Sequence, residues 1–359
     1  VTRRERLRRC YFHEELDRPA VYSRTAYPPD DPSYDPLRAY LAEHSELKRP
    51  WSGQVQARPP IDVRREPHSD DWERQISVLH TPAGDLEASR LVSLRGQPGL
   101  DRTHFIKGAA DAETYLSLPM PDVGGDVSSF FEADRKVGDA GIAEASVGHN
   151  PGGAVAGLCG SETFAIMSMM DRDVLHALLA RERDVVLNRL KYLLERGVGP
   201  CFGVSGQELI APPLHGPKDF HDFNVRYDRP IVDLIHEAGG RLHVHCHGAM
   251  AKVIGQFVEM GVDVLHPFEA RPLGDVTPAE AKEAARGRTC LEGNIQISEM
   301  YESTPERIRE QVRALIEAAF DDRRGLIVSP TASPYIRGAG THCLPQYEAM
   351  VETVLDWEP

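Results

Sequence analysis

The segment Arg241-Leu242-His243-Val244-His245-Cys246-His247-Gly248 alternates apolar and imidazole side chains and stops at a glycine. Successive side chains of a β-strand point to opposite faces, so Leu242, Val244 and Cys246 share one face while His243, His245 and His247 share the other. The apolar face belongs against outer helices and the histidine face against an interior, climbing toward the C-terminal end of the strand. That arrangement suits a parallel barrel, whose active sites lie at the C-terminal rim.

Working outward, short apolar stretches alternate with long amphipathic ones from residue 138 onward, the rhythm of a parallel sheet with crossover helices. Strands are predicted at Ala140–Val147, Pro200–Ser205, Arg241–Cys246, Val262–His266, Thr289–Glu292 and Gly325–Ser329. Helices are predicted at Asp171–Arg196, at Lys218–Ala238 with a break at Pro230, and at Met250–Met260, Pro278–Ala285, Pro305–Phe320 and Leu344–Trp357. With Ala20–Arg24 as a first strand, the count reaches about eight β/α units, the number that closes a barrel. Residues 50–108 are rich in proline and polar side chains. There Gln75–His80 and Leu86–Val92 alternate around Pro82-Ala83-Gly84-Asp85, the pattern of a β-hairpin. The expectation is α/β: residues 1–359 as a single (β/α)8 TIM barrel domain with an N-terminal β-hairpin elaboration inserted around 50–108. No Gly-x-Gly-x-x-Gly turn follows an early strand, which disfavours a doubly wound dinucleotide fold.

The chain has 359 residues, 41% hydrophobic and 27% charged, enough to bury a large core. A formal charge of −14 disfavours nucleic acid and anionic membrane surfaces as partners. The basic start at Arg3-Arg4, Arg6 and Arg8-Arg9 reads as the first turns of a helix capped by Thr2 with Glu5. No apolar run of the length needed to span a bilayer is evident, and none follows the basic start as a signal peptide requires, so a cytoplasmic enzyme is expected. The six cysteines are dispersed, without a Cys-x-x-Cys pair, and are expected as buried thiols.

Two residues along a strand span roughly 6.5 Å, within reach of one shared ion, whereas His243 and His247 would stand about 13 Å apart. His245 and His247 are therefore the better metal pair, and Cys246 has the wrong parity. Other strand ends supply further candidates: Glu208, His266 with Glu269, and Glu292 with Asn294. Together they would form a polar ring around the histidines. A carboxylate there can bind metal or act as acid or base if burial raises its pKa.

These residues carry a resemblance to the uroporphyrinogen decarboxylase superfamily, which includes cobalamin-dependent methyltransferases. It rests on Glu208-Leu209-Ile210-Ala211-Pro212-Pro213-Leu214 with Pro217 and Phe220, on His243–Gly248, on Gly261 through Glu269, and on Leu326-Ile327-Val328-Ser329-Pro330. Asp17-Arg18-Pro19-Ala20-Val21 supports it at the N-terminus. The resemblance implies a (β/α)8 barrel. Where porphyrinogen decarboxylases carry Gln-Ala-Gly-Arg, this chain has Ser23-Arg24-Thr25-Ala26, leaving Arg24 alone to grip a substrate carboxylate.

The methyltransferase branch has a zinc motif, His-x-Cys-Gly plus a later Cys. Here His245-Cys246-His247-Gly248 matches it with His247 in place of the cysteine, and Cys343 is the later candidate. The resemblance thus implies a metal ion, zinc for preference, on His245, His247 and Cys343, with Glu208 or Glu269 as substitute ligands. It implies His245, Glu208 and Glu269 as catalytic groups and Arg24, His243, His266 and Asn294 as substrate contacts. The implied activity is methyl transfer between a small methylated substrate and a corrinoid (cobalamin) on a carrier protein. The alternative is a decarboxylase or related lyase of a small carboxylic acid.

Overall fold

The computed structural model describes residues 1–358. Eight strands form one parallel sheet: β1 (Ala20–Val21), β2 (Leu47–Trp51), β7 (Gly141–His149), β8 (Cys201–Ser205), β9 (Arg241–His245), β10 (Val264–His266), β11 (Cys290–Ile295) and β12 (Leu326–Pro330). From β2 to β12 each pairs with the next in that order, and β12 pairs with β1, so the sheet curls into the (β/α)8 barrel. The seam between β1 and β2 is closed by one residue. Glu46 donates its backbone N–H to Val21 O (3.0 Å), and its carboxylate accepts from Val21 N at 2.7 Å. Arg6 and Arg18 neutralise this buried carboxylate at 2.7 and 2.9 Å, so the basic N-terminal helix (Arg3–Tyr11) is part of the closure.

Between β2 and β7 the chain leaves the barrel to form a four-stranded antiparallel sheet: β3 (Ile61–Ser69), β4 (Trp72–Thr81), β5 (Gly84–Ser93) and β6 (Leu100–Thr103). β4 and β5 pair across a tight turn, Thr81 opposite Gly84. Leu79 and Leu86, cross-strand partners there, bury themselves against Leu118. The region expected as elaboration therefore begins on the last two residues of a barrel strand, Pro50 and Trp51 of β2.

Two local expectations change. Pro230 lies inside a continuous helix, Arg226–Glu237; the irregularity is a π-helical turn at His221–Val225. A proline ring crowds the carbonyl four residues before it, here Arg226, the first residue after that widened turn. Helix Pro151–Met170 is by length and composition apolar enough to cross a membrane, a run hidden in the sequence by its glycines and Glu162. It is broken at Gly160 (φ 75°) and packs on the helix Arg172–Glu195, burying Val155, Cys159, Phe164 and Met167.

Candidate active site

The parity of β9 holds. Leu242, Val244 and Cys246 are buried in the apolar layer between sheet and helices, while His243 and His245 line the barrel cavity. This cavity, about 360 Å³, is bounded by Tyr22, Arg24, Lys48, Glu144, His243, His245 and Glu292, among others. A second cavity of about 360 Å³ opens beside it at the rim, bounded by Glu208, Pro212, Pro213, His247, Glu269 and Thr331.

The floor is a buried charge network. Lys48 Nζ donates to Glu292 Oε2, and Tyr11 Oη donates to Glu144 Oε2. His243 lies between the two carboxylates, Nδ1 3.5 Å from Glu144 and Nε2 3.8 Å from Glu292. Its Nε2 is buried with no hydrogen-bond partner. Burial, then Lys48, pushes the His243 pKa well down, so the ring is neutral. Burial raises the Glu292 pKa while Lys48 opposes the rise. Room for Glu144 comes from a missing side chain, because a Cβ on Gly203 would lie 2.6 Å from Glu144 Oε1.

The wall is a chain of three side chains. His245 and His266 are register partners on β9 and β10, their rings stacked at 5.0 Å. His245 Nδ1 is 2.8 Å from His266 Nδ1 and also 2.8 Å from Arg24 Nη1; His266 Nε2 is 3.2 Å from Pro330 O. Burial, then Arg24, drives the His245 pKa down to about 2. His266 is lowered as well, by burial and then by His245.

At the rim, His247 Nδ1 is 3.0 Å from Glu269 Oε2, and the His247 ring stands perpendicular to His245 with centroids 4.7 Å apart. Among the described residues neither His245 Nε2 nor His247 Nε2 has a hydrogen-bond partner, while Glu269 is buried. His247 Nδ1 and Glu269 Oε2 form a close N,O pair of the kind a divalent metal takes, but His245 brings no third ligand atom within 4.8 Å of both, so the three do not converge as they stand. A deeper group, His243, His266 and Glu292, has ligand-type atoms within 4.8 Å of one another. There the Lys48 ammonium already occupies Glu292, so a dication would have to displace a buried cation.

The structure brings together Arg24, His243 and His245 on one cavity and Glu208, His247 and Glu269 on the next. Glu208 is tethered by Gly206 N–H to its Oε2 at 3.1 Å. Three expectations are corrected. Cys343 is buried on the closing helix Gly340–Leu355, its thiol 3.4 Å from Gly340 O and its pKa raised by burial to about 11, so it is no ligand for the histidines. The Pro334–Gly340 loop does not fold inward, because Tyr34 and Tyr301 fasten it through Ile336 O and Tyr335 N. His266 faces neither cavity; it is fully buried and supports His245. Asn294 also lines neither cavity.

Lys48 and Glu144 were not singled out by sequence. For Glu144 the signal is parity, a lone carboxylate among Ala143, Ala145 and Val147; Lys48 stands beside Arg49 in Leu47–Trp51, and only its burial marks it out.

A family profile for uroporphyrinogen decarboxylase (URO-D) matches residues 153–342, more than half of the chain, and this chain belongs to that family. Solved structures similar to it include a B12-independent methionine synthase from Shewanella sp. W3-18-1 in complex with selenomethionine. That likeness has 13% identity and a TM-score of 0.45, and it covers 82% of this chain and 76% of the other. Another is a D-psicose 3-epimerase in the presence of D-fructose, at 11% identity and a TM-score of 0.40, covering 64% and 83%. No curated protein matches the chain.

Proposed function

We propose that the protein is a metal-dependent methyltransferase or demethylase that moves a methyl group between a small, anionic methylated substrate and a corrinoid on a partner protein. The observation that carries this reading is the His247–Glu269 contact at 3.0 Å beside His245, on the barrel rim next to a cavity lined by Arg24. His247 Nδ1 and Glu269 would hold the metal, zinc for preference, with His245 drawn in as the third ligand. Two imidazoles and a carboxylate are a harder set than the thiolate-rich pattern of the methyltransferase branch. The metal supplies a Lewis acid, and this donor set suits polarising a substrate oxygen better than activating a thiol.

The chain's own residues supply the rest. Arg24 holds an anionic group of the substrate through the N–H groups not directed at His245. His266 fixes the orientation of His245. As the methyl group leaves its oxygen for the corrinoid substrate, that oxygen keeps the electron pair and takes up a proton from water, which Glu208 on the rim cavity would position. Pro212, Pro213, Leu214 and Ile297 wall the rim cavity with apolar surface and strengthen charge interactions inside it. A cavity of about 360 Å³ is at the low end of small-molecule sites of roughly 300–1,000 Å³, which favours a small substrate over a tetrapyrrole.

The test is incubation of zinc-replete protein with cob(I)alamin and a panel of methoxybenzoates, with a parallel assay for carbon dioxide release from small acids. Appearance of the methylcobalamin spectrum, lost in E269Q, supports the reading. Carbon dioxide release with no change in the cobalamin spectrum would replace it with the decarboxylase alternative.

A further inference from the structure

A third cavity, about 580 Å³, is larger than either barrel cavity and shares no lining residue with them. It lies where the inserted sheet meets the barrel, between the segment 56–60, the turn end of β4, the loop 118–122 and the helix Arg172–Glu195. Backbone hydrogen bonds fasten these walls to one another: Ala57 N–H donates to Asp122 O at 2.8 Å, and His80 N–H to Pro60 O at 3.0 Å. Pro59, Pro60, Pro82, Pro119 and Pro121 line the cavity, and their fixed φ angles leave the walls little freedom to lose when a ligand binds. The volume falls inside the roughly 300–1,000 Å³ of small-molecule sites.

The polar groups on this cavity are incompletely paired. Glu182 is buried; Tyr115 Oη donates to its Oε1 at 2.9 Å, while Oε2 has no partner among the described residues. Arg181 spends Nη1 and Nη2 on the carbonyls of Leu118 and Pro119, which leaves its Nε 3.9 Å from Glu182 Oε1. That Nε is buried without a hydrogen-bond partner, as is Gln56 Oε1. Burial raises the Glu182 pKa against the pull of Tyr115 and Arg181, the mark of a carboxyl group short of donors. Charge on the lining is balanced: Arg181 offsets Glu182, exposed Arg58 offsets exposed Asp122, and His80 is held between Asp62 and Asp85 at 3.0 and 2.8 Å. An ionic ligand would bring an unmatched charge against apolar walls.

We propose that this cavity binds a neutral aromatic molecule of one or two rings bearing a hydroxyl or N–H donor, a phenol or an indole, with the donor on Glu182 Oε2. The proline rings bound a flat apolar slot, and Met120 offers a thioether to the ring. The metal centre proposed above plays no part in this site, so either can fail without the other.

The experiment titrates the full chain calorimetrically at pH 7 with 2-naphthol, its methyl ether 2-methoxynaphthalene, the anion 2-naphthoate, and 1-octanol. 2-Naphthol should bind roughly 10–100-fold more tightly than its methyl ether, the gain expected from a hydrogen bond to a charged acceptor. Naphthoate and octanol should bind more weakly than 2-naphthol. E182L should abolish the preference for 2-naphthol over the ether, and V185W, which fills the cavity, should abolish binding of both. R24M, on the barrel cavity, should leave 2-naphthol affinity unchanged. Circular dichroism checks that the variants fold, and the ranking of ligands on the wild type does not depend on them. Failure of 2-naphthol to bind, equal affinity for its methyl ether, or tighter binding of naphthoate or octanol overturns the proposal. So does 2-naphthol binding that survives V185W or is lost in R24M.

Discussion

Asp228, on the helix Arg226–Glu237, is a buried carboxylate beneath the site. Asn150 Nδ2 donates to its two oxygens at 3.0 and 3.1 Å, and Gln207 Nε2 donates to Oδ2 at 3.0 Å. Asn150 also caps the helix after β7 through Gly153 N–H, and Gln207 precedes Glu208, so this network ties two rim loops together. No cation offsets the burial, which raises the Asp228 pKa from 3.8 to about 7 despite the amide donors. Between those values the folded protein keeps a proton that the unfolded chain has lost, so stability falls as pH rises and levels off above about pH 7. At about 1.4 kcal/mol per pH unit, Asp228 accounts for a loss of roughly 2.5–3 kcal/mol between pH 5 and pH 8. D228N removes that titration. Its amide can donate to Gln207 Oε1, which is buried without a partner. Urea unfolding of both proteins, followed by circular dichroism, should therefore show D228N gaining on the wild type by roughly 2.5–3 kcal/mol as pH goes from 5 to 8. A difference that is flat with pH, or that grows toward acid, would refute the reasoning.

Two further outcomes follow from the site's foundations. K48M leaves Glu292 buried without its partner and should destabilise the protein by about 3–5 kcal/mol, most of it recovered in K48M/E292L; a single variant no less stable than the double in urea unfolding would show that the pair is not what holds the floor. At Gly206 (φ 114°) a Cβ would lie 2.8 Å from Asn150 Oδ1 and 3.0 Å from Gly153 Cα, so G206A should cost about 1–3 kcal/mol by the same assay, and wild-type stability would count against the tight packing of these loops.

The barrel was legible because burial acts on periodicity. Alternation in 241–247 and apolar strands before amphipathic helices reflect the two faces that a barrel imposes on each strand, and the helix Pro278–Ala285 falls where its capping pair, Thr277 with Glu280, begins it. β1 and β2 were harder to read. β1 is only two residues long and is held by Glu46, 25 residues further along the chain, and β2 carries Lys48, Arg49 and Pro50, with Lys48 partnered by Glu292 on another strand. At the site, strand parity identifies His243 and His245, and proximity to strand ends identifies Glu208 and Glu269. Cys343 could not be judged that way, because its place depends on a loop path fastened by Tyr34 and Tyr301. His266 shows the limit of parity: the strand end is where expected, yet the ring turns onto Pro330 O and His245 instead of into a cavity.

The most direct test of the account is the metal content of the purified wild type, H247A, E269Q and the H245A/H247A double variant, by elemental analysis after dialysis against zinc. Near one zinc per chain in the wild type, reduced in each single variant and abolished in the double, is the predicted result. One zinc per chain in the double variant, or none in the wild type, would contradict a metal centre at His245, His247 and Glu269.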